Sequence, residues 1–426
     1  MLCYSVGPVT GDKRVGGLVG SSDGGSTYLC YWDVQTGGLG SSKGGRGKST
    51  DQMKSIHTFR GWGYQAQWAT DEGNDYPRLA WEGLSGVFIF EAPCEYGGGT
   101  GSPSDPYRIR TAGQFLAIGY GWPDFDKHFV LMQDIDLNDI DPNLTVPVGT
   151  PGIPFSGSYD GNGHTMSGFK CSSTGENHIG TFGHVGPQGI IRNAVISNAD
   201  VSGSQDVGAL AGSSEGSILN CSVSGCVSGW RFVGGLAGSI KPDATVSSCS
   251  STVDVAGGIT VGGLVGYNLV AISPAYSINY MGDISDSYSS ASVDGNTPVA
   301  GLVAANGGII SRCHSSGQVA GIKETGGLVG GLYTWLADYL GSTDNCYWDM
   351  DASGQETSAG GEGKTTAQMK QRATFVDWDF GNVWDIAENQ TYPFLRRHPV
   401  ADLNYDARVD LLDLAILAEH WLEGLE

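Results

Sequence analysis

Charge is scarce in this chain. Asp, Glu, Lys and Arg make up 16% of its 426 residues, and only 23 basic residues stand against 45 acidic ones. The formal net charge of −22 argues against nucleic acid as a partner, because Lys and Arg must neutralise phosphates. It fits a secreted surface protein or a cation-binding protein, and equally a chain made soluble by its charge. No run of ~20 apolar residues occurs, so no membrane span is expected. The N-terminus, Met1 to Pro8, has neither the basic nor the apolar segment of a leader. The nine cysteines include no C-x-x-C pair, and the glycines follow no collagen triplet.

Glycine itself is abundant, at 68 of 426 residues, more than twice the usual share of about 7%. Much of it belongs to one recurring phrase. Val15-Gly16-Gly17-Leu18-Val19-Gly20 returns at Val207 to Gly212, Val233 to Gly238, Val261 to Gly266, Val299 to Ala304 and Thr325 to Gly330. Ile179-Gly180-Thr181-Phe182 reads as a worn copy. With the fourth residue as marker, the steps 182–210–236–264–302–328 are 28, 26, 28, 38 and 26 residues. A period in this range means stacked units rather than one globular core.

A second landmark follows each phrase. Cys221, Cys249, Cys313 and Cys346 share one slot, filled elsewhere by Ala194 and Tyr288. A slot open to Cys, Ala and Tyr reads as a packing position of buried thiols, with disulfides and metal binding as the alternatives. Slot to next marker spans 14 to 16 residues, whereas marker to next slot spans 11 to 24. One half is therefore framework and the other accepts insertions. After the slot, Cys221, Val223, Gly225 and Val227 alternate with Ser222, Ser224, Cys226 and Ser228, the period of a half-buried strand. The Ala194 and Tyr288 copies slip by one residue, which suggests a bulge. The expected fold is all-β: a parallel β-helix or β-solenoid with α/β end caps.

The phrase resembles the GLUG motif, found in tandem in bacterial surface proteins, including non-catalytic regions of IgA peptidases and large adhesins. The resemblance covers residues 179–346 and one isolated copy at 15–30. It implies a solenoid in an extracellular, cell-surface setting.

A larger repeat frames the array. Cys30-Tyr31-Trp32-Asp33 matches Cys346-Tyr347-Trp348-Asp349 at an offset of 316, and Gln52-Met53-Lys54, Trp62, Trp68 and Tyr76-Pro77 match Gln368-Met369-Lys370, Trp378, Trp384 and Tyr392-Pro393 without a gap. An array has open ends that need cover, so these modules read as end caps. The chain divides into the tail and cap of an earlier array (1–81), a linker (82–107), an N-terminal cap and first coils (108–178), the solenoid (179–346), a C-terminal cap (347–398) and a terminal segment (399–426). It reads as part of a longer product. Asp160-Gly-Asn-Gly-His164 resembles the opening coil of pectin-lyase-like β-helices, with His164 in a structural role.

The terminal segment carries the sharpest chemistry. Asp402, Asn404, Asp406, Asp410 and Asp413 place oxygens at loop positions one, three, five, nine and twelve, and Arg408 offers its carbonyl at seven. Ca²⁺ takes six to eight oxygens, which this spacing gathers around one point. Ala407 and Asp413 replace the usual Gly and Glu, so weaker binding than in an ideal loop is expected. Leu411, Leu414, Ala415, Leu417, Ala418, Trp421 and Leu422 then form one helical stripe. Loop plus helix resembles a single dockerin repeat, which implies a cohesin-like partner. Dockerins carry two such repeats, so pairing with a second copy of the helix, or docking of the helix on the solenoid, are the alternatives.

These features favour a non-catalytic extracellular protein for adhesion or for binding carbohydrate or another partner. The loop from Asn268 to Gly282, with Tyr276 and Tyr280, is the best contact candidate, and Trp122 and Trp230 are expected in core or cap packing rather than against sugars. A β-helix polysaccharide lyase or glycosidase is the runner-up, and a dockerin-bearing accessory protein the third reading. The scattered carboxylates Asp200, Asp206, Asp254, Asp283, Asp286 and Asp294 recur at no common position, whereas hydrolysis needs a positioned pair. No catalytic residue is assigned.

Overall fold

The computed structural model describes residues 2–21, 27, 29–59, 62, 68–83, 87–89, 96–120, 124–140, 142, 145–173, 176–273, 278–331 and 341–396. The chain winds into a parallel β-solenoid with three strand faces. One face stacks nine short strands, from Tyr107–Ile109 through Ser158–Asp160 and Ser217–Leu219 to Ser342–Asp344. The second holds the long strands Val195–Ser202, Ser222–Gly234 and Ser250–Gly262. The third stacks six strands that grow out of the phrase, from Phe182–Val185 to Val329–Gly331.

Like residues sit above like. Leu210, Leu236, Leu264, Leu302 and Leu328 are fully buried; each of the first four donates its N–H to the carbonyl of the next leucine in that column, and Leu328 donates to Ser358 Oγ. On the second face Val201, Val227, Val255, Val293 and Val319 are in register. On the first, Tyr159, Ile191, Ile218, Val246, Ile284 and Ile310 form the matching column. The first glycine of the phrase is dictated by the corner it turns. A Cβ on Gly234 or Gly262 would lie 2.1 Å from the carbonyl oxygen three residues on.

The worn copy's Phe182 makes the marker's bond, its N–H donating to the Leu210 carbonyl at 2.8 Å, but its corner is one residue shorter than the others, so it pairs with Ala211. Three readings change. In the Tyr288 copy the slot is Ser287, not Tyr288. Ser287 Oγ accepts from Cys249 N–H at 3.0 Å and donates to the Ser285 carbonyl, as the Cys249 thiol does to Ser247. The slip after Tyr288 therefore disappears, while the slip after Ala194 is a bulge between Ile196 and Ala199. Second, part of the expected linker belongs to the first coil. Gly97 N–H donates to the Arg108 carbonyl, and Tyr96 packs 4.5 Å from Tyr107. Third, Trp230 lies outside the core, 57% exposed.

The two matching modules are built alike. Trp32 lies over Gly17 and Trp348 over Gly327, where a Cβ would fall 2.0 Å from the indole in each case. Asp33 accepts from Thr50 and Tyr76 as Asp349 does from Thr366 and Tyr392, all at 2.7 Å. Ser49 and Thr365 close capping boxes on their short helices. The first module docks on the solenoid through Arg46. Its guanidinium donates to Glu176 at 3.0 Å and to the Thr145 carbonyl at 2.5 Å.

Candidate functional site

Five coils turn into their phrase through a residue in left-handed backbone, whereas Pro298 stands at the entry to the Val299 copy. His178, Asp206, Phe232, Thr260 and Glu324 occupy this corner with φ between 53° and 61°. Such a conformation is uncommon for residues other than Gly, Asn and Asp. Just past the phrase a second column runs through His184, Ser213, Ser239 and Tyr267. Two neighbourhoods arise where the columns meet.

The first is polar. Ser213 Oγ lies 2.6 Å from His184 Nδ1 and 2.9 Å from His178 Nδ1. His178 stands 3.7 Å from Asp206, which accepts a hydrogen bond from Ser239. His184 Nε2 faces Glu215 at 3.5 Å. Burial pushes the His184 pKa down to about 4, helped by His178 and Lys241. Burial also lowers His178, against the pull of Asp206. Sequence reading missed this group, because its members lie on coils 28 or 29 residues apart. The signal was available: each member sits next to the phrase. The geometry differs from a nucleophile–base–orienter relay. Both imidazoles approach the serine through Nδ1, and Ser213 is fully buried.

The second neighbourhood is aromatic. Phe232 stacks on Tyr267 with centroids 5.2 Å apart at 24°. The Arg231 guanidinium lies 4.3 Å from the Phe232 ring centre. Trp230 precedes them in the same strand.

Two of the carboxylates expected to share no position do share one rung position, two coils apart. Asp200 and Asp254 flank Cys226 on the outer side of three successive coils, and Asp286 pairs with Arg312 at 2.6 Å. His164 stands 3.5 Å from Asp134 beside its turn. The slot thiols of Cys221, Cys249, Cys313 and Cys346 donate to carbonyls two residues back. Among the described residues no group of three or more His, Cys, Asp or Glu is placed to hold a metal ion. The calcium candidates Asp402, Asn404, Asp406, Arg408, Asp410 and Asp413 lie outside the described residues, as do Trp122, Tyr276 and the Tyr280 side chain. The contact-loop candidate forms an antiparallel hairpin of Val270–Ser273 and Ile278–Met281. No helix of the described residues is long and apolar enough to cross a membrane.

No protein-family model matches the chain. Halomucin of Haloquadratum walsbyi is 32% identical over 184 residues, which cover 42% of this chain and 2% of halomucin. A protein of Evansella cellulosilytica named "Putative Gly-rich membrane protein" is 28% identical over 400 residues, covering 70% of this chain and 45% of its own length. The chain thus spans less than half of either relative. The crystal structure of a "putative immunoglobulin A1 protease" from Bacteroides ovatus aligns with a TM-score of 0.56 and 23% identity, over 71% of this chain and 95% of the other. With that protein the chain shares its solenoid fold.

Proposed function

We propose that the chain is a non-catalytic rod of an extracellular surface protein, with contacts to carbohydrate or protein partners along its sides. One observation carries this reading. Inward positions repeat from coil to coil, as in the Val201 to Val319 column, while the outward row Lys170, Asp200, Cys226 and Asp254 changes at every coil. A scaffold that keeps its inside and varies its outside is suited to presenting contacts. The names of the relatives, a halomucin and a membrane protein, agree with a surface setting. Antibodies raised against residues 96–396 are expected to label intact cells of the source organism. Labelling only after permeabilisation would sink the reading.

The terminal loop, with Asp402, Asn404, Asp406, Arg408, Asp410 and Asp413 around Ca²⁺, would supply calcium-dependent docking to a cohesin-like protein or to a second copy of its helix. Ca²⁺ titration of the full chain is expected to saturate at one site and to lose that site in D402A/D406A. A flat titration would remove the metal from the proposal.

A hydrolytic reading rests on the corner of His178, His184, Asp206 and Ser213, and on a fold neighbour described as a protease. A fluorophosphonate probe tests it. Labelling that disappears in S213A would establish a nucleophile and displace the rod as the main function; no labelling is expected.

A further inference from the structure

The strand from Ser222 to Gly234 carries the triplet Trp230-Arg231-Phe232 just before its last two residues. Trp230 is 57% exposed, yet its indole does not hang free. It lies over Gly258 of the next coil, where a Cβ would come within 2.5 Å of the ring. One face of the indole is thus supported by a glycine and the side chain stays open to solvent. An aromatic surface of this kind takes the C–H face of a pyranose ring, being apolar in body and amphipathic at its edge.

The residue beside it has an unusual status. Arg46, Arg78, Arg108, Arg192, Arg312 and Arg396 each pair with a carboxylate. Arg231 pairs with none among the described residues, a lack it shares with Arg14, Arg110 and Arg372, but of these four it alone has a side-chain nitrogen, Nε, buried without a hydrogen-bond partner. It is instead held against Phe232, which Tyr267 supports from the following coil. In a chain with about two acidic residues for each basic one, 45 to 23, an arginine without an acidic partner is a site of local charge complementarity for an anion. Guanidinium prefers carboxylate or phosphate, which it can hold with two parallel hydrogen bonds.

We propose that Trp230 and Arg231 form a subsite for a carboxylated sugar, a uronic or sialic acid unit, with the pyranose on the indole and its carboxylate on the guanidinium. The subsite rests on the reading of the chain as a surface protein with lateral contacts, and it gives one of those contacts a chemical class.

The test is isothermal titration of the full chain with trigalacturonate, with 3′-sialyllactose and with maltotriose as the neutral probe. At least one acidic sugar is expected to bind about ten-fold more tightly than maltotriose, a difference of about 1.4 kcal/mol. W230A is expected to abolish binding of every sugar. R231Q is expected to erase the preference for acid while leaving weak neutral binding. Gly258→Ala, which lifts the indole without removing it, is expected to weaken all binding. Urea midpoints of the three variants control for folding. No binding of either acidic sugar, binding unchanged in W230A, or an acid preference that survives R231Q would each overturn the subsite. Surface labelling of cells is unaffected by these outcomes, so failure of the subsite and failure of the surface reading are separable.

Discussion

Asn193, Asn220, Ser248, Asp286, Arg312 and Asn345 hold one corner of six coils in left-handed backbone, each just before the Cys slot. Asn and Asp tolerate this conformation because their short polar side chains bond locally, and Asn220 donates to Asn193 one coil away at 2.8 Å. Asn220→Ala is expected to cost about 1–2 kcal/mol, read from urea midpoints, while Asn220→Gly should recover the backbone part of that loss. The buried imidazoles allow a second prediction. His314 stacks on Tyr288 with rings 2° apart and, like His184, is pushed from 6.5 to about 4 by burial. Between those values the unfolded chain binds protons that the folded chain excludes. Stability is therefore greatest above pH 6.5 and falls as pH drops toward 4, by up to about 1.4 kcal/mol per pH unit for each histidine. H314Q and H184Q should each flatten that slope in urea titrations at pH 7 and pH 5. An unchanged slope would mean that these rings are hydrated in the native state.

The first cap module and the solenoid meet at a pair that is nearly out of water. Arg46 and Glu176 lie 3.0 Å apart with side chains 15% exposed, and burial pushes the Glu176 carboxyl up while Arg46 pulls it down. Removing one partner strands the other charge, so Arg46→Met is expected to cost about 3–5 kcal/mol at this joint. R46M/E176L should recover most of it. Hydrogen exchange across residues 29–59 checks both. This joint was invisible in sequence, since nothing local to Arg46 names a partner 130 residues away. The coil, by contrast, was legible. The phrase fixed the leucine column because its glycines can sit nowhere but the corner, and the alternation after Cys221 fixed which side chains point inward. The nine-strand face was missed, although Ile191, Ile218, Val246, Ile284 and Ile310 stand three residues before the slot positions 194, 221, 249, 287 and 313. A three-residue strand has too short an alternation to stand out. The Tyr288 misassignment has a similar origin. Serine was not anticipated as a substitute for cysteine, although each donates to the backbone carbonyl two residues before it.

A molecule assembled from equivalent windings should tolerate the loss of one. Ser222 is in register with Ser250, so deleting residues 222–249 joins Cys221 to Ser250 with slot and strand in phase. The shortened chain is expected to fold with its long axis reduced by about 4.8 Å and its cross-section unchanged, as small-angle scattering would measure. An aggregated or unfolded product would mean that the windings are not interchangeable. The triplet Trp230 to Phe232 survives only in the parent, so the deletion should also remove recognition of acidic sugars. The leucine column has a mechanical corollary. Its N–H to carbonyl links, from Leu210 to Leu328, all point along the stack. Tension applied between the two ends would load them in series, and the body would pay out one turn at a time. Each release frees roughly 90 Å of slack, giving a tether that lengthens in discrete steps under shear instead of breaking at once.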